Sequence, residues 1–323
     1  MKAIRIHRTG GPEVLSYEDV ELGPPGPGEV RIRHTAIGLN FIDTYHREGL
    51  YPVPLPTVLG MEAAGVVEAL GAGVTTLAVG DRVAYGNGPI GAYSEARNAP
   101  AGRLVRLPDS IGDETAAAVM LKGMTVRYLL KETFAVRPGQ TILFHAAAGG
   151  VGLIAGQWAA ALGATAIGTA GSDEKCTLAI EHGYAHCINY NTEDVAERVR
   201  EITGGEKVPV VYDGVGRSTF EASLDCLQRR GLLVSFGNAS GPVTGVDLGI
   251  LARKGSLYVT RPGLAAYVTT DEELQANAAD VIDVVARGAV RLEIAQRFPL
   301  AKAADAHRAL EARQTTGSTV LIP

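Results

Sequence analysis

The chain has 323 residues, enough for about two domains whose cores need neither disulfides nor metals. With 20% charged and 46% hydrophobic residues the composition is globular, not disordered. A formal charge of -5 argues against non-specific nucleic-acid binding. Three cysteines (Cys176, Cys187, Cys226) are too few for a disulfide framework, and no apolar run approaches the roughly 18 residues of a membrane span. The N-terminal MKAIRIHRTGG lacks the apolar stretch of a signal peptide, so a cytoplasmic protein is expected. Glycine is the outlier: 40 residues, about 12% against an average near 7%, with no three-residue period.

Residues 1–7 alternate weakly between apolar and polar. ELGPPGPGE, residues 21–29, is a Pro/Gly turn that breaks any regular element. VRIRHTAIG follows, with Val30, Ile32 and His34 on one face and Arg31, Arg33 and Thr35 on the other. That period of two predicts a half-buried strand. Further strands are expected at 63–70, 81–86 and 103–107, and one short helix at 41–48. Few other helical patterns occur before residue 121, so this half reads as mainly β.

From Pro138 strand-like blocks alternate with helical ones. The strands fall at 141–145, 165–170, 186–190, 208–212, 232–236 and 256–260. The helices between them fall at 150–162, 172–182, 192–202, 218–227 and near 248–253. Six strands with intervening helices predict an α/β, Rossmann-type doubly wound parallel sheet. Beyond it a helix (271–287), a strand (291–298), a helix (302–313) and a strand (319–322) have no slot in that sheet and are expected to rejoin the first half.

The strongest chemical signal is FHAAAGGVG at 144–152, after a strand and opening a helix. Gly149 and Gly152 match the second and third glycines of G-x-G-x-x-G, while Ala147 fills the first slot. A missing Cβ at Gly149 lets backbone approach a pyrophosphate, and at Gly152 it permits close helix packing. The N–H groups and dipole of the helix start, through Gly150 and Val151, then suit phosphate. At the tip of the second strand stand Ala170, Gly171 and Ser172, with no carboxylate at the place where an acidic residue would hold the ribose of NAD. Ser172 and Lys175 suit a 2′-phosphate, which favours NADPH. Asp173 keeps NAD as the alternative, and Ser172 also reads as a helix cap.

The order Pro-Gly turn, VRIRHTAIGLN, GMEAAGVV, VGDRVA, AAAGGVG and a late α/β return resembles the medium-chain dehydrogenase/reductase superfamily. LNFIDTYHREGLYP at 39–52, AAAGGVGLIAGQWAAALGA at 146–164 and LEARQTTGSTVLIP at the C-terminus are similar to its NADPH quinone oxidoreductase (zeta-crystallin) branch. The resemblance implies a discontinuous β-rich, GroES-like catalytic domain (1–121 and 266–323) around a Rossmann domain (122–265), with the active site in the cleft between them. It also implies a homodimer, joined near the sheet edge at 256–260.

The superfamily's zinc-ligand slots carry Asn40 and Met61, and no cysteine precedes Cys176, so no zinc is expected. Without a Lewis acid the substrates that remain are quinones and activated enones. Residue by residue, the resemblance puts Asn40 near the nicotinamide ribose or the substrate carbonyl. Tyr45 and Tyr51 line the substrate site, with Tyr45 the donor to a substrate oxygen, and Thr125 touches the nicotinamide. Ser172, Lys175, Tyr190 and Arg313 surround the 2′-phosphate. Ser235, Phe236 and Gly237 end the fifth strand, and Arg261 reaches the site from the sixth.

Each residue has a structural alternative. Tyr45 and Tyr51 read equally as rim aromatics, Asn40 as a turn residue, Arg313 as a partner of Glu311, and Tyr190 as packing on the sheet. His145 reads as core, and Asp43 as a bond to Asn40 or a helix cap. The function expected is zinc-independent NADPH-dependent reduction of quinones. The alternatives are reduction of the C=C bond of alkenals or enones, and a non-enzymatic nucleotide- or RNA-binding crystallin-like role. Small molecules are the expected partners, with neither nucleic acid nor membrane.

Overall fold

In a computed structural model that describes residues 1–323, the chain opens with strands β1 (Lys2–Ile6), β2 (Ser16–Asp19) and β3 (Glu29–Leu39). Helix α1 (Phe41–Glu48) follows, then β4 (Thr57–Val58), β5 (Glu62–Leu70), β6 (Arg82–Tyr85), β7 (Ala96–Pro100) and β8 (Val105–Arg106). No regular element forms in the Pro/Gly turn before β3. Along β3, Val30, Ile32 and His34 are buried while Arg33 is exposed, which is the alternation that a half-buried strand requires. Beyond a register shift at His34/Ala36 the last four residues are buried on both faces. Asn40 and Asp43 start α1 with a reciprocal capping box, and Gly49, at φ +85°, stops it in the left-handed conformation.

The sequence-based expectation of a mainly β first half with one short helix needs one correction. A sixteen-residue helix, α2 (Asp113–Tyr128), continues into a π-helical turn at Leu129–Thr133. Its residues Ala116–Met120, Met124, Val126 and Tyr128 are buried on every side. A helix covered all round shows no amphipathic period for a sequence reading to detect.

The chain then runs through β9 (Thr141–Phe144), α3 (Gly150–Ala161), β10 (Thr165–Ala170), α4 (Asp173–Glu181), β11 (His186–Asn189), α5 (Val195–Ile202) and β12 (Val208–Asp213). Next come α6 (Phe220–Asp225), β13 (Leu227–Ser235), α7 (Gly249–Arg253) and β14 (Tyr258–Thr260). It ends with α8 (Asp271–Ala286), β15 (Ile294–Pro299), α9 (Ala303–Glu311) and β16 (Ser318–Ile322).

Two units result, one of Met1–Met124, Tyr267–Ala286 and Leu292–Pro323, the other of Thr125–Ala266 and Arg287–Arg291. In the first, β15-β16-β3-β5-β6-β8 form one sheet, with β7 also paired to β3, and β2-β1-β4 form a smaller one. The tail finds its slot here, because β16 runs antiparallel to β3 with Val320 opposite Gly38. Ile4, Ile32, Ile37, Leu59, Tyr93 and Leu321 belong to this unit's core. The second unit carries a parallel six-stranded sheet ordered β11-β10-β9-β12-β13-β14. Strand order reverses between β9 and β12, and the loops that follow these two strands flank the switch point where open α/β sheets take ligands.

Candidate functional site

In the second unit the chain turns sharply after β9. Ala146 sits at φ +55°, a left-handed backbone that a residue with a Cβ adopts at a cost of about 1–3 kcal/mol. The turn closes when Gly149 N–H donates to the Ala146 carbonyl at 3.0 Å. A Cβ on Gly152 would stand 2.4 Å from that carbonyl oxygen and 2.5 Å from Ala147 O, so only glycine lets α3 begin there. A Cβ on Gly149 would meet only Ala146 O, at 3.3 Å, so its other side is open. No side chain caps the start of α3, which leaves its first-turn N–H groups for a ligand.

Ala147 occupies the motif's first glycine slot without penalty. Its methyl lies where a side chain on Gly168 of β10 would be, 2.6 Å from that missing Cβ.

The tip of β10 gathers the next group. Ser172 Oγ accepts from Lys175 N–H at 3.3 Å and caps α4. Asp173 Oδ1 accepts from Asn189 Nδ2 at 2.7 Å, so this carboxylate is already engaged by the neighbouring strand. Asn191 Nδ2 donates to Gly171 O at 2.7 Å, and the Tyr190 hydroxyl lies over Gly171 where a Cβ would come within 2.6 Å. Gly171, Ser172, Lys175 and Tyr190 are therefore together. Arg313 follows α9 in the first unit, exposed and at φ +57°. Glu311, its alternative partner on sequence grounds, is held by Arg47 at 2.7 Å.

At the end of β13, Ser235 is buried and its carbonyl accepts from Arg261 Nη1 at 2.8 Å. The Phe236 ring covers Gly214 and lies 5.5 Å, centroid to centroid, from Phe144, while Gly237 packs on the Gly214 backbone. Thr125 is half-buried in α2. His145 is a core residue between Thr169 Oγ1 (2.9 Å) and Ser223 Oγ (3.0 Å), and burial lowers its pKa. Asp213, which the sequence reading passed over, accepts from Val215 N–H, Gly216 N–H, Thr219 and Ser223 and so fixes the loop after β12.

In the first unit α1 presents Tyr45, buried at 7% exposure, with the Tyr51 ring edge-on at 5.3 Å. Tyr45 is thus not a rim aromatic. Asn40 is buried, its N–H donates to Asp43 Oδ2 at 2.9 Å, and its Nδ2 donates to Glu62 Oε2 at 2.8 Å. Glu62 also receives Lys122 Nζ at 3.1 Å and Leu121 N–H at 2.7 Å. The sequence reading missed Glu62 and Lys122. The signal was there, a lone Glu in GMEAAGVV and a lone Lys in AAAVMLKGM, because a charge within an apolar run must find a partner when buried. Burial also raises the pKa of Asp43 to about 7, although Asn40 N–H and the Tyr93 hydroxyl donate to it.

The chain matches the alcohol dehydrogenase GroES-like domain over residues 26–109 and the zinc-binding dehydrogenase family over 150–265. These two matches and the fold define a medium-chain dehydrogenase/reductase. Among its relatives, the quinone oxidoreductase of Pseudomonas aeruginosa is 62% identical over 100% of this chain and 99% of its own. The 2-haloacrylate reductase of a Burkholderia species is 49% identical over 98% of each chain. The crystal structure of Escherichia coli quinone oxidoreductase complexed with NADPH superposes with a TM-score of 0.99 at 53% identity, covering 100% of both chains. The chain belongs to the quinone oxidoreductase family of this superfamily.

The superfamily implies zinc, and the residues here do not fit it. Where the ligand slots fall, Asn40 offers an amide, Met61 a thioether, and the Glu62 carboxylate is neutralised by a buried ammonium that would repel a second cation. No three His, Cys, Asp or Glu side chains cluster as a metal site.

Proposed function

We propose that this protein is a zinc-independent, NADPH-dependent reductase of quinones. The observation that carries the reading is the full-length likeness to E. coli quinone oxidoreductase complexed with NADPH. When bound, NADPH supplies a hydride to the quinone. The chain binds and orients. Gly149, Gly150, Val151 and Gly152 offer backbone N–H groups and the α3 dipole to the pyrophosphate. Gly171, Ser172, Lys175, Tyr190 and Arg313 take the 2′-phosphate. The engagement of Asp173 by Asn189 supports NADPH over NAD, since it draws the nearest carboxylate away from a ribose hydroxyl. Thr125, Ser235, Phe236 and Arg261 serve the nicotinamide side. Tyr45, braced by Tyr51, donates to the substrate oxygen, and Asn40 lies beside the same reacting groups.

Purified protein mixed with NADPH and 1,4-benzoquinone is expected to consume the reduced-nicotinamide absorbance. A rate no higher than that without protein overturns the reading. Lys175→Ala is expected to weaken NADPH about tenfold or more while leaving NADH nearly unchanged, since a charge-assisted bond is worth about 1.5–3 kcal/mol. Equal loss for both nucleotides would remove the 2′-phosphate role.

The 2-haloacrylate reductase relative favours a second reading, saturation of a conjugated C=C bond. Product analysis with an enone separates the two, because that reaction leaves the carbonyl intact. We further place the protein in the cytoplasm, as a homodimer without nucleic-acid partners. The free thiols of Cys176, Cys187 and Cys226 support a reducing compartment. Strand β14, an edge with Tyr258 61% and Val259 41% exposed, supports pairing with a second copy. Light scattering that returns the mass of one chain refuses the dimer. No helix is long and apolar enough to cross a membrane.

A further inference from the structure

Three donors converge on one carboxylate in the first unit. Leu121 N–H reaches Glu62 Oε1, while Lys122 Nζ and Asn40 Nδ2 reach Oε2. Glu62 is fully buried and Lys122 is 5% exposed. Gly38 makes the room, since a Cβ there would stand 2.2 Å from Glu62 Oε2. An ionised carboxylate accepts only, so Asn40 must turn its NH₂ toward Glu62. The same nitrogen lies 3.5 Å from Gly38 O. Both amide hydrogens are therefore directed at protein acceptors. Asn40 Oδ1 takes the Asp43 N–H in the α1 cap, so what Asn40 has left for a ligand is that oxygen's second lone pair. A carbonyl oxygen takes a hydroxyl. A substrate carbonyl that gains negative charge needs a donor instead.

We propose that Glu62 and Lys122 are positioning residues that lock Asn40 as a hydrogen-bond acceptor for a ligand hydroxyl, of the kind a nucleotide ribose carries, and bar it from donating to the substrate carbonyl. Lys122 Nζ donates to the same Glu62 oxygen that Asn40 does and so fixes where Oε2 lies. This rests on the reading of the protein as a nicotinamide-nucleotide enzyme.

The test is a series of variants read by the Kd of NADPH, from the fluorescence of the bound nucleotide, beside turnover with 1,4-benzoquinone. Asn40→Asp sets carboxylate against carboxylate and is expected to weaken NADPH about tenfold or more. Adding Glu62→Gln restores Kd to within about threefold, because the amide introduced at position 62 then donates to the carboxylate at position 40 and an acceptor still faces the ligand. Glu62→Gln with Lys122→Met removes both charges at similar volume. Its thermal midpoint is expected near that of the wild type, since neutral replacement of a buried pair is often tolerated. NADPH nonetheless weakens about 3- to 10-fold in it, because an amide at position 62 no longer demands a donor from Asn40 and the α1 cap alone then orients it.

The inference is overturned if the Asn40→Asp/Glu62→Gln double variant binds no better than Asn40→Asp. It is equally overturned if the neutral pair binds NADPH as the wild type does. A wild type that binds NADPH and reduces no quinone refutes the substrate reading, while the Kd series still decides the polarity of Asn40. A wild type that does not bind NADPH refutes both.

Discussion

At the scale of single residues, the turn after β9 depends on where methyl groups are absent. The sequence shows Ala147 as a mismatch to the dinucleotide motif. The register of β9 against β10, with Phe144 opposite Gly168, shows why it is harmless. Gly168→Ala would bring a methyl to 2.6 Å from Ala147 Cβ and 3.0 Å from the Tyr184 ring. Overpacking of this kind costs about 1–3 kcal/mol, measurable as a lower urea midpoint. Ala147→Gly in the same chain is expected to recover a large part of that loss. An undiminished loss would mean that the two methyl positions do not compete. Gly149 and Gly152 were legible because their demands are local to the loop. The contact of Ala147 with Gly168 was not, because it joins the turn after β9 to a residue of β10.

At the scale of elements, α9 is fastened to α1 by a buried chain of polar groups. Arg47, fully buried, donates to both Glu311 oxygens at 2.7 and 2.9 Å, to Glu48 Oε1 at 2.6 Å and to His307 Nδ1 at 2.9 Å. Arginine only donates, so His307 accepts at Nδ1 and carries its proton on Nε2. That nitrogen faces the Tyr93 hydroxyl at 3.0 Å, and Tyr93 donates to Asp43 Oδ2 at 2.9 Å. Arg47→Met is expected to cost about 1–3 kcal/mol, since it removes hydrogen bonds from buried His307 while the carboxylates it leaves, Glu311 and Glu48, are 30% and 45% exposed. Urea unfolding checks it, and a loss below about 1 kcal/mol would mark the pair as a surface-type contact. The helical period of α1 and α9 was readable, as each shows one apolar face. That they meet was not, since Arg47 and Glu311 lie at opposite ends of the chain. Helix α2 escaped for the converse reason, being covered on all sides.

At the scale of the whole molecule, buried titratable groups set how stability follows pH. Burial lowers the pKa of His34 to about 4, and burial with the nearby Arg47 charge lowers that of His307 to about 3, from 6.5. Below pH 6.5 the unfolded chain binds protons that these native histidines refuse, so stability falls as pH drops from 6.5 toward 4. Asp43 acts in the opposite sense. With its pKa raised from 3.8 to about 7 by burial, the native state keeps a proton the unfolded chain has lost, so this group costs stability as pH rises through that window. The histidines outweigh the one aspartate, because burial lowers the pKa of His145 and His46 too, so stability is expected to rise with pH between about 4 and 6.5. His34→Gln is expected to lower the slope by about 1.4 kcal/mol per unit. Urea unfolding at pH 5.0 and 6.5 measures it, and an unchanged slope would mean that His34 titrates normally in the folded protein.

The sequence by itself determined what depends on neighbours along the chain. That covers the alternating strands and helices of the parallel sheet, the glycine loop after β9, the Ser172 cap, and the lack of cysteine or histidine where a zinc would need them. Local period, turn chemistry and ligand chemistry act over a few residues, so they are written in order. Only the tertiary structure decided which distant groups meet. It paired β16 with β3, engaged Asp173 with Asn189, let Gly168 make room for Ala147, and closed Asn40, Glu62 and Lys122 into one buried cluster. The physical reason is desolvation. A charge or amide taken out of water must find its partner wherever the fold brings one, and that place is fixed by packing, not by position in the chain.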